Sequence, residues 1–161
     1  MDAIKLLKEQ HRMVEKLFSQ LEEAEGEEKA DLFAQLADSF LVHCHIEEEL
    51  FYPAVFEDRT EDDLREAVEE HLQAKRIIAD MLDMDQEDEQ WTAKCAVLKE
   101  DIQHHVKEEE NELFPQVQKD FTKKRLDELG RQMNARASEL QEEGEPRNLV
   151  FDETEQANLP S

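Results

Sequence analysis

The chain has 161 residues and a formal net charge of −24, from 19 basic and 43 acidic side chains. That length suits one domain able to bury a core of its own. So acidic a chain is a poor partner for nucleic acid or an anionic membrane surface, which argues against both. With only 3 Gly and 4 Pro among abundant Glu, Leu, Ala, Lys and Gln, the composition reads as helix.

Taken in order, the apolar spacing predicts a first helix over about Asp2–Glu25. Ile4, Leu7, Val14, Phe18 and Leu21 form its stripe, and His11 fills the gap in the series. Gly26 breaks the pattern. A second helix, about Glu28–Phe56, carries Leu32, Leu36, Phe40, Leu50 and Ala54, with His43 and Glu47 interrupting the stripe and Pro53 expected to kink or loosen its last turn. Thr60 is a candidate N-cap for a third helix, about Glu61–Asp83, whose stripe of Leu64, Ala67, Ala74, Ile78 and Met81 is interrupted by His71. After the acidic loop Asp85–Glu89, a fourth helix over about Gln90–Phe114 has Cys95, Leu98, Ile102 and Leu113 on its stripe. His105 and Glu109 interrupt it, and Pro115 is expected to end or kink it.

A further helix over about Thr122–Glu142 packs through Leu126, Leu129, Met133 and Leu140, with Gly130 an unfavourable interior residue at a cost of about 1 kcal/mol. Residues 143–161 lose this periodicity and read as a polar, acidic tail, set apart from a domain of residues 1–142. Two cysteines, Cys44 and Cys95, make no disulfide framework and fit a reducing cytoplasmic setting. The start, MDAIKLLKEQH, has no apolar core of a signal peptide, and no apolar run is long enough to span a bilayer, so neither export nor insertion is expected.

The chain contains an internal repeat. His43-Cys-His-Ile-Glu47-Glu-Glu-Leu-Phe-Tyr-Pro53 returns 62 residues later as His105-Val-Lys-Glu-Glu109-Glu-Asn-Glu-Leu-Phe-Pro115. In both, Glu follows His by four and Pro follows it by ten, and Glu9-Gln10-His11 is echoed by Glu69-Glu70-His71. Four apart on a helix is one turn, so each His–Glu pair shares a face. Two helical hairpins of this kind stack into an all-α, up-down-up-down four-helix bundle. The four His lie comparably far from their turns, so His11, His43, His71 and His105 should share one layer.

A His-x3-Glu match alone carries little weight when 29 of 161 residues are Glu. The repeated Pro and the inward phase carry more. A single core His is ordinarily satisfied by a neighbouring polar group. Six ionisable groups in one layer would instead suffer a heavy desolvation penalty, which a bound metal removes. By phase, His45 and His104 fall off the stripe. Glu48, Glu108, Glu110 and Glu112 read as a solvated face, Cys44 as a packed residue, and Glu15 as outside the site because its counterpart in the second half is Lys75. Tyr52 and Trp91 are single aromatics near helix ends with no assigned role.

The order His11, His43-x3-Glu47, His71, His105-x3-Glu109, with the tails EEELFYP and EENELFP, resembles the hemerythrin-like (HHE cation-binding) family. Leu126-Asp-Glu-Leu-Gly-Arg-Gln-Met133 resembles the C-terminal helix of its bacterial single-domain members. The resemblance implies a non-haem di-iron centre: His11 and His43 on one iron, His71 and His105 on the other, Glu47 and Glu109 bridging. It departs from the oxygen carriers, which place a further His one turn after the third-helix ligand; here that residue is Lys75. With an oxo or hydroxo bridge each of the two Fe ions would be five-coordinate and keep an open position, as small-ligand chemistry requires. The expected function is binding of, or reaction with, dioxygen, nitric oxide or peroxide, with turnover and redox partner left open. An iron- or oxygen-sensing or iron-handling module is the alternative, and a metal-free helical interaction protein a third reading. Ligand type alone leaves manganese and zinc open.

Overall fold

The computed structural model describes residues 1–157 and is all-helical over them. Its elements are α1 (Ala3–Glu23), α2 (Glu27–Ile46), a π-helical turn (Glu47–Phe51) running into α3 (Tyr52–Val55), α4 (Glu61–Leu82), and α5 (Glu89–Glu108). A second π-helical turn (Glu109–Leu113) continues into α6 (Phe114–Asp120), followed by α7 (Lys123–Glu142) and a 3₁₀ segment (Pro146–Asp152). No helix among the described residues is long and apolar enough to cross a membrane.

The caps explain several boundaries. The side chains of Asp2, Asp88 and Thr122 accept hydrogen bonds from the backbone N–H groups of Lys5, Gln90 and Arg125, closing the starts of α1, α5 and α7. Thr60 stands at the N-cap position of α4 as the sequence suggested, but its side chain makes no capping hydrogen bond there. Its hydroxyl donates to the Val55 carbonyl at 2.7 Å and accepts from the Glu57 N–H at 3.0 Å, so it closes the preceding turn instead.

The backbone is loosened ahead of both prolines, and Pro115 does not end its helix. Each lies just after a π-helical turn, where the Tyr52 and Phe114 N–H groups reach back five residues to the carbonyls of Glu47 and Glu109. The wider turn adjusts the backbone where a proline ring would meet the preceding carbonyls, so the helix continues beyond Pro115 to Asp120. Both π turns begin on the repeated glutamates, 47 and 109.

Buried apolar side chains form two clusters. One gathers Ile4, Leu7, Ile46, Phe51, Leu64 and Phe114 with the α7 face of Leu126, Leu129 and Met133. The other gathers Phe18, Phe40, Ile78, Met81, Trp91, Leu98 and Ile102. Along the chain α1 passes from the first cluster to the second, α2 returns, α4 goes out, and α5 with the π turn that continues it returns at Leu113. Between them, at each crossing, stand His11, His43, His71 and His105.

α2 is more buried than its single predicted stripe implied: Leu41, Val42, Cys44 and Ile46 are enclosed as well. A helix buried nearly all round needs cover on its outer side, and α7 and the 3₁₀ segment provide it. Close approach of α7 depends on Gly130, where a Cβ would stand 2.3 Å from the Met1 carbonyl oxygen and 2.8 Å from the Ala3 nitrogen. The glycine that looked unfavourable for the helix is what lets the helix dock. In the C-terminal segment Val150 is buried, whereas Leu149 and Phe151 remain exposed.

Candidate metal centre

All six side chains singled out by spacing, His11, His43, Glu47, His71, His105 and Glu109, are at most 3% exposed. Donor atoms of His43, Glu47, His105 and Glu109 lie within 4.8 Å of one another. His11 joins through Nε2, 3.2 Å from Glu109 Oε1, and His71 through Nε2, 3.2 Å from Glu47 Oε1. The imidazoles pair as His11 with His43 and His71 with His105, each with ring centroids 4.8 Å apart. Phe40 borders His43 and His71, and Phe114 stacks on His11 at 5.9 Å, walling the layer with apolar rings.

Each imidazole is held from behind. The Nδ1 atoms of His11, His43, His71 and His105 meet Glu110, Gln10, Glu48 and Glu70 at 2.7, 2.7, 2.6 and 2.8 Å. A carboxylate or amide oxygen can only accept, so each Nδ1 is the donor, and in a neutral ring Nε2 is then a lone pair. These lone pairs face inward, toward one another and toward the glutamates. His71 Nε2 stands 3.2 Å from His105 Nε2. His11 Nε2, His43 Nε2, both Glu47 oxygens and Glu109 Oε1 are buried without a hydrogen-bond partner. The contacts His11–Glu109 and His43–Glu47 are short, at 3.2 and 2.8 Å, but poorly aligned for hydrogen bonding. A layer of acceptors pointing at acceptors is repulsive unless a cation or protons occupy it.

The electrostatics agree. Burial works against charge on His105, but Glu109, Glu47 and Glu70 outweigh it and lift its pKa to about 9. His71 is also lifted well above its ordinary value against burial, by Cys44 and by the carboxylates of Glu47 and Glu48. Burial dominates at His43 and lowers its pKa. Glu47 is held well below the usual carboxylate range, because His43, His105 and His71 overcome its own burial. The centre therefore asks for positive charge, and neutral imidazole nitrogens with carboxylate oxygens are ready ligands for first-row metals.

The sequence model of the hemerythrin HHE cation-binding domain matches residues 2–117, which hold all six side chains. The chain belongs to the hemerythrin HHE cation-binding family. The crystal structure of a hemerythrin HHE cation-binding domain-containing protein from Mycobacterium kansasii is similar to it, with a TM-score of 0.77 and 27% identity. That match covers 94% of this chain and 91% of the other. A search of curated proteins found no significant match.

In this HHE domain the glutamates read as a solvated face divide into two kinds. Glu48 and Glu110 are partly or largely buried and orient His71 and His11, a role the sequence reading missed; Glu108 pairs with His104 near the surface, and Glu112 is exposed. Gln10 and Glu70 were missed too. The repeat contained the signal. Gln10 and Glu70 each precede the first His of a hairpin and hold the second, while Glu48 and Glu110 each follow a buried Glu and hold a His of the opposite half. His45 lies outside the layer, bonded to Glu49 and Glu153, and His104 is exposed. Glu15 pairs with Arg12. Cys44 is fully buried. Tyr52, to which the sequence assigns no role, has a buried hydroxyl that donates to Glu109 Oε2 at 2.6 Å and lies 3.4 Å from His71 Nε2.

Proposed function

We propose that the layer holds two iron ions, His11 and His43 binding one, His71 and His105 the other, with Glu47 and Glu109 shared. The chain then binds or reacts with a small oxidant: dioxygen, nitric oxide or peroxide. The alternation of α1, α2, α4 and α5 between the two apolar clusters supports an up-down-up-down bundle as the frame. The observation that carries the reading is the convergence of inward acceptor atoms, each imidazole fixed by an outward Nδ1 donor, with His11 Nε2, His43 Nε2, both Glu47 oxygens and Glu109 Oε1 left without a hydrogen-bond partner. When bound, a pair of irons would supply electrons and open coordination positions for such an oxidant.

The chain's own residues do the remainder. Gln10, Glu48, Glu70 and Glu110 hold the rings in one orientation, so little reorganisation accompanies metal uptake. Phe40 and Phe114 keep water from the layer. Tyr52 keeps a proton 2.6 Å from Glu109 Oε2, burial and the facing Glu109 and Glu47 having raised its pKa well above the ordinary phenol value. It is the hydroxyl that holds Glu109 by a hydrogen bond from an otherwise apolar wall. Two free thiols, Cys44 and Cys95, support the reducing cytoplasmic setting read from composition.

The test is anaerobic loading of the metal-free chain with ferrous iron, metal analysis, and absorption spectra before and after addition of dioxygen or peroxide. About two irons per chain and a new charge-transfer band after the oxidant are expected. Iron bound without any spectral response to either oxidant, or to nitric oxide, would favour the iron-handling alternative. No stoichiometric uptake would end the reading.

A further inference from the structure

Lys75 lies one turn after His71 on α4 and is 3% exposed. A buried ammonium needs partners, and it has them on two elements. Its Nζ donates to Glu48 Oε2 at 3.3 Å and to Glu153 Oε1, on the C-terminal segment, at 2.9 Å. Glu48 Oε2 also accepts from His71 Nδ1 at 2.6 Å. An unbroken chain of contacts thus runs from Glu153 through Lys75 and Glu48 to an imidazole of the buried layer.

The segment carrying Glu153 is anchored independently. Arg147 bonds Asp38 on α2 through both its backbone N–H and its guanidinium, Val150 is buried, and Arg76 donates to the carbonyls of Thr154 and Glu155. Glu153 also accepts from His45 Nε2 at 2.8 Å. No counterpart exists in the other half of the repeat, where Glu15 occupies the position of Lys75 and pairs with Arg12. We propose that Lys75, clamped by Glu153 of the C-terminal segment, is a positioning residue that fixes Glu48 and through it the ring of His71. The C-terminal segment is then part of the centre's construction rather than a passive tail. This rests on the metal-centre reading, in which orienting partners of ligand imidazoles set affinity and geometry.

Three variants of the full chain test it: Lys75→Met, Glu153→Gln, and Arg76→Met, which removes the bonds to the Thr154 and Glu155 carbonyls while Glu153 stays held by Lys75 and His45. Two probes are used, the ¹⁵N NMR signals of the His71 ring in metal-free protein and cobalt(II) bound at the centre. Lys75→Met and Glu153→Gln should both perturb the His71 nitrogens and the cobalt absorption. Lys75→Met should speed cobalt loss to a chelator by about tenfold, the low end of the weight of outer-shell partners, and Glu153→Gln should speed it by less. Arg76→Met should lower thermal stability alone. Wild-type His71 signals and release rates in both Lys75→Met and Glu153→Gln would overturn the proposal. So would an Arg76→Met protein that reproduces the Glu153→Gln changes, because the segment would then act through stability only. Should Lys75→Met fail to fold, the partly exposed Glu153→Gln decides. If the wild-type chain takes up no cobalt, the metal-centre reading fails, and the His71 signals still decide whether Lys75 and Glu153 position the ring.

Discussion

Tyr52 and Phe114 occupy equivalent places in the two halves of the repeat, each five residues after a buried glutamate and each stacked on an imidazole of the layer. Tyr52 lies 22° from parallel to His71 with centroids 5.6 Å apart, and Phe114 lies 5° from parallel to His11 at 5.9 Å. Only Tyr52 carries a hydroxyl, and that hydroxyl donates to Glu109. The two halves of the centre therefore differ by one proton donor. Tyr52→Phe removes it at nearly constant shape and leaves Glu109 Oε2 buried without a partner. The metal-free protein should lose about 1–3 kcal/mol, the usual penalty for such an orphan. Urea unfolding of metal-free wild type and variant measures it, and equal stabilities would show that Glu109 does not depend on this donor.

His105→Ala should reduce bound iron by half or more. His105 Nε2 lies within 3.2–3.9 Å of His71, Glu109 and Glu47, so its loss opens one side of the layer and unties Glu70. Metal analysis after anaerobic loading reads the outcome directly. Full retention would remove His105 from the ligand set.

Gly130→Ala should destabilise the protein, although the same change in a free-standing helix would stabilise it by about 1 kcal/mol. The added methyl would press on backbone atoms of Met1, Asp2 and Ala3, none of which can rotate away as a side-chain tip would. A loss of about 1–3 kcal/mol is expected for such overpacking. A raised melting temperature would show that α7 does not need this close approach.

Acid should release the C-terminal segment. Glu153 is partly buried, which disfavours its charge, but the facing His45 and Lys75 outweigh burial and hold its pKa below the ordinary 4.5. A carboxylate with a depressed folded pKa adds stability above its unfolded value, and that contribution disappears as pH falls through the folded value. Glu48 and Glu49 lie on the same side and keep Lys75 and His45 paired even as Glu153 protonates. Below about pH 4, amide exchange across Arg147–Glu155 should therefore accelerate before the buried helices respond. Simultaneous loss of protection in both regions would contradict a separate role for Glu153.

Periodicity and repetition in the chain alone were enough to specify helices, their approximate ends, and the depth of His11, His43, His71 and His105. An apolar stripe dictates which face turns inward, and the gaps in that stripe show which polar groups go with it. The Glu at four and the Pro at ten after His43 and His105 bound the site to two matching helices. Tertiary structure alone decided what stands behind each ring. Gln10, Glu48, Glu70 and Glu110 lie on helix faces that look solvated until a neighbouring helix brings an Nδ1 donor within 2.8 Å. It also decided that Gly130 is a contact and not a defect, and that Glu153 reaches a lysine 78 residues away. The division has one physical source. Burial phase is a local property of a helix, whereas a hydrogen bond between elements depends on their crossing and register, which no single segment encodes.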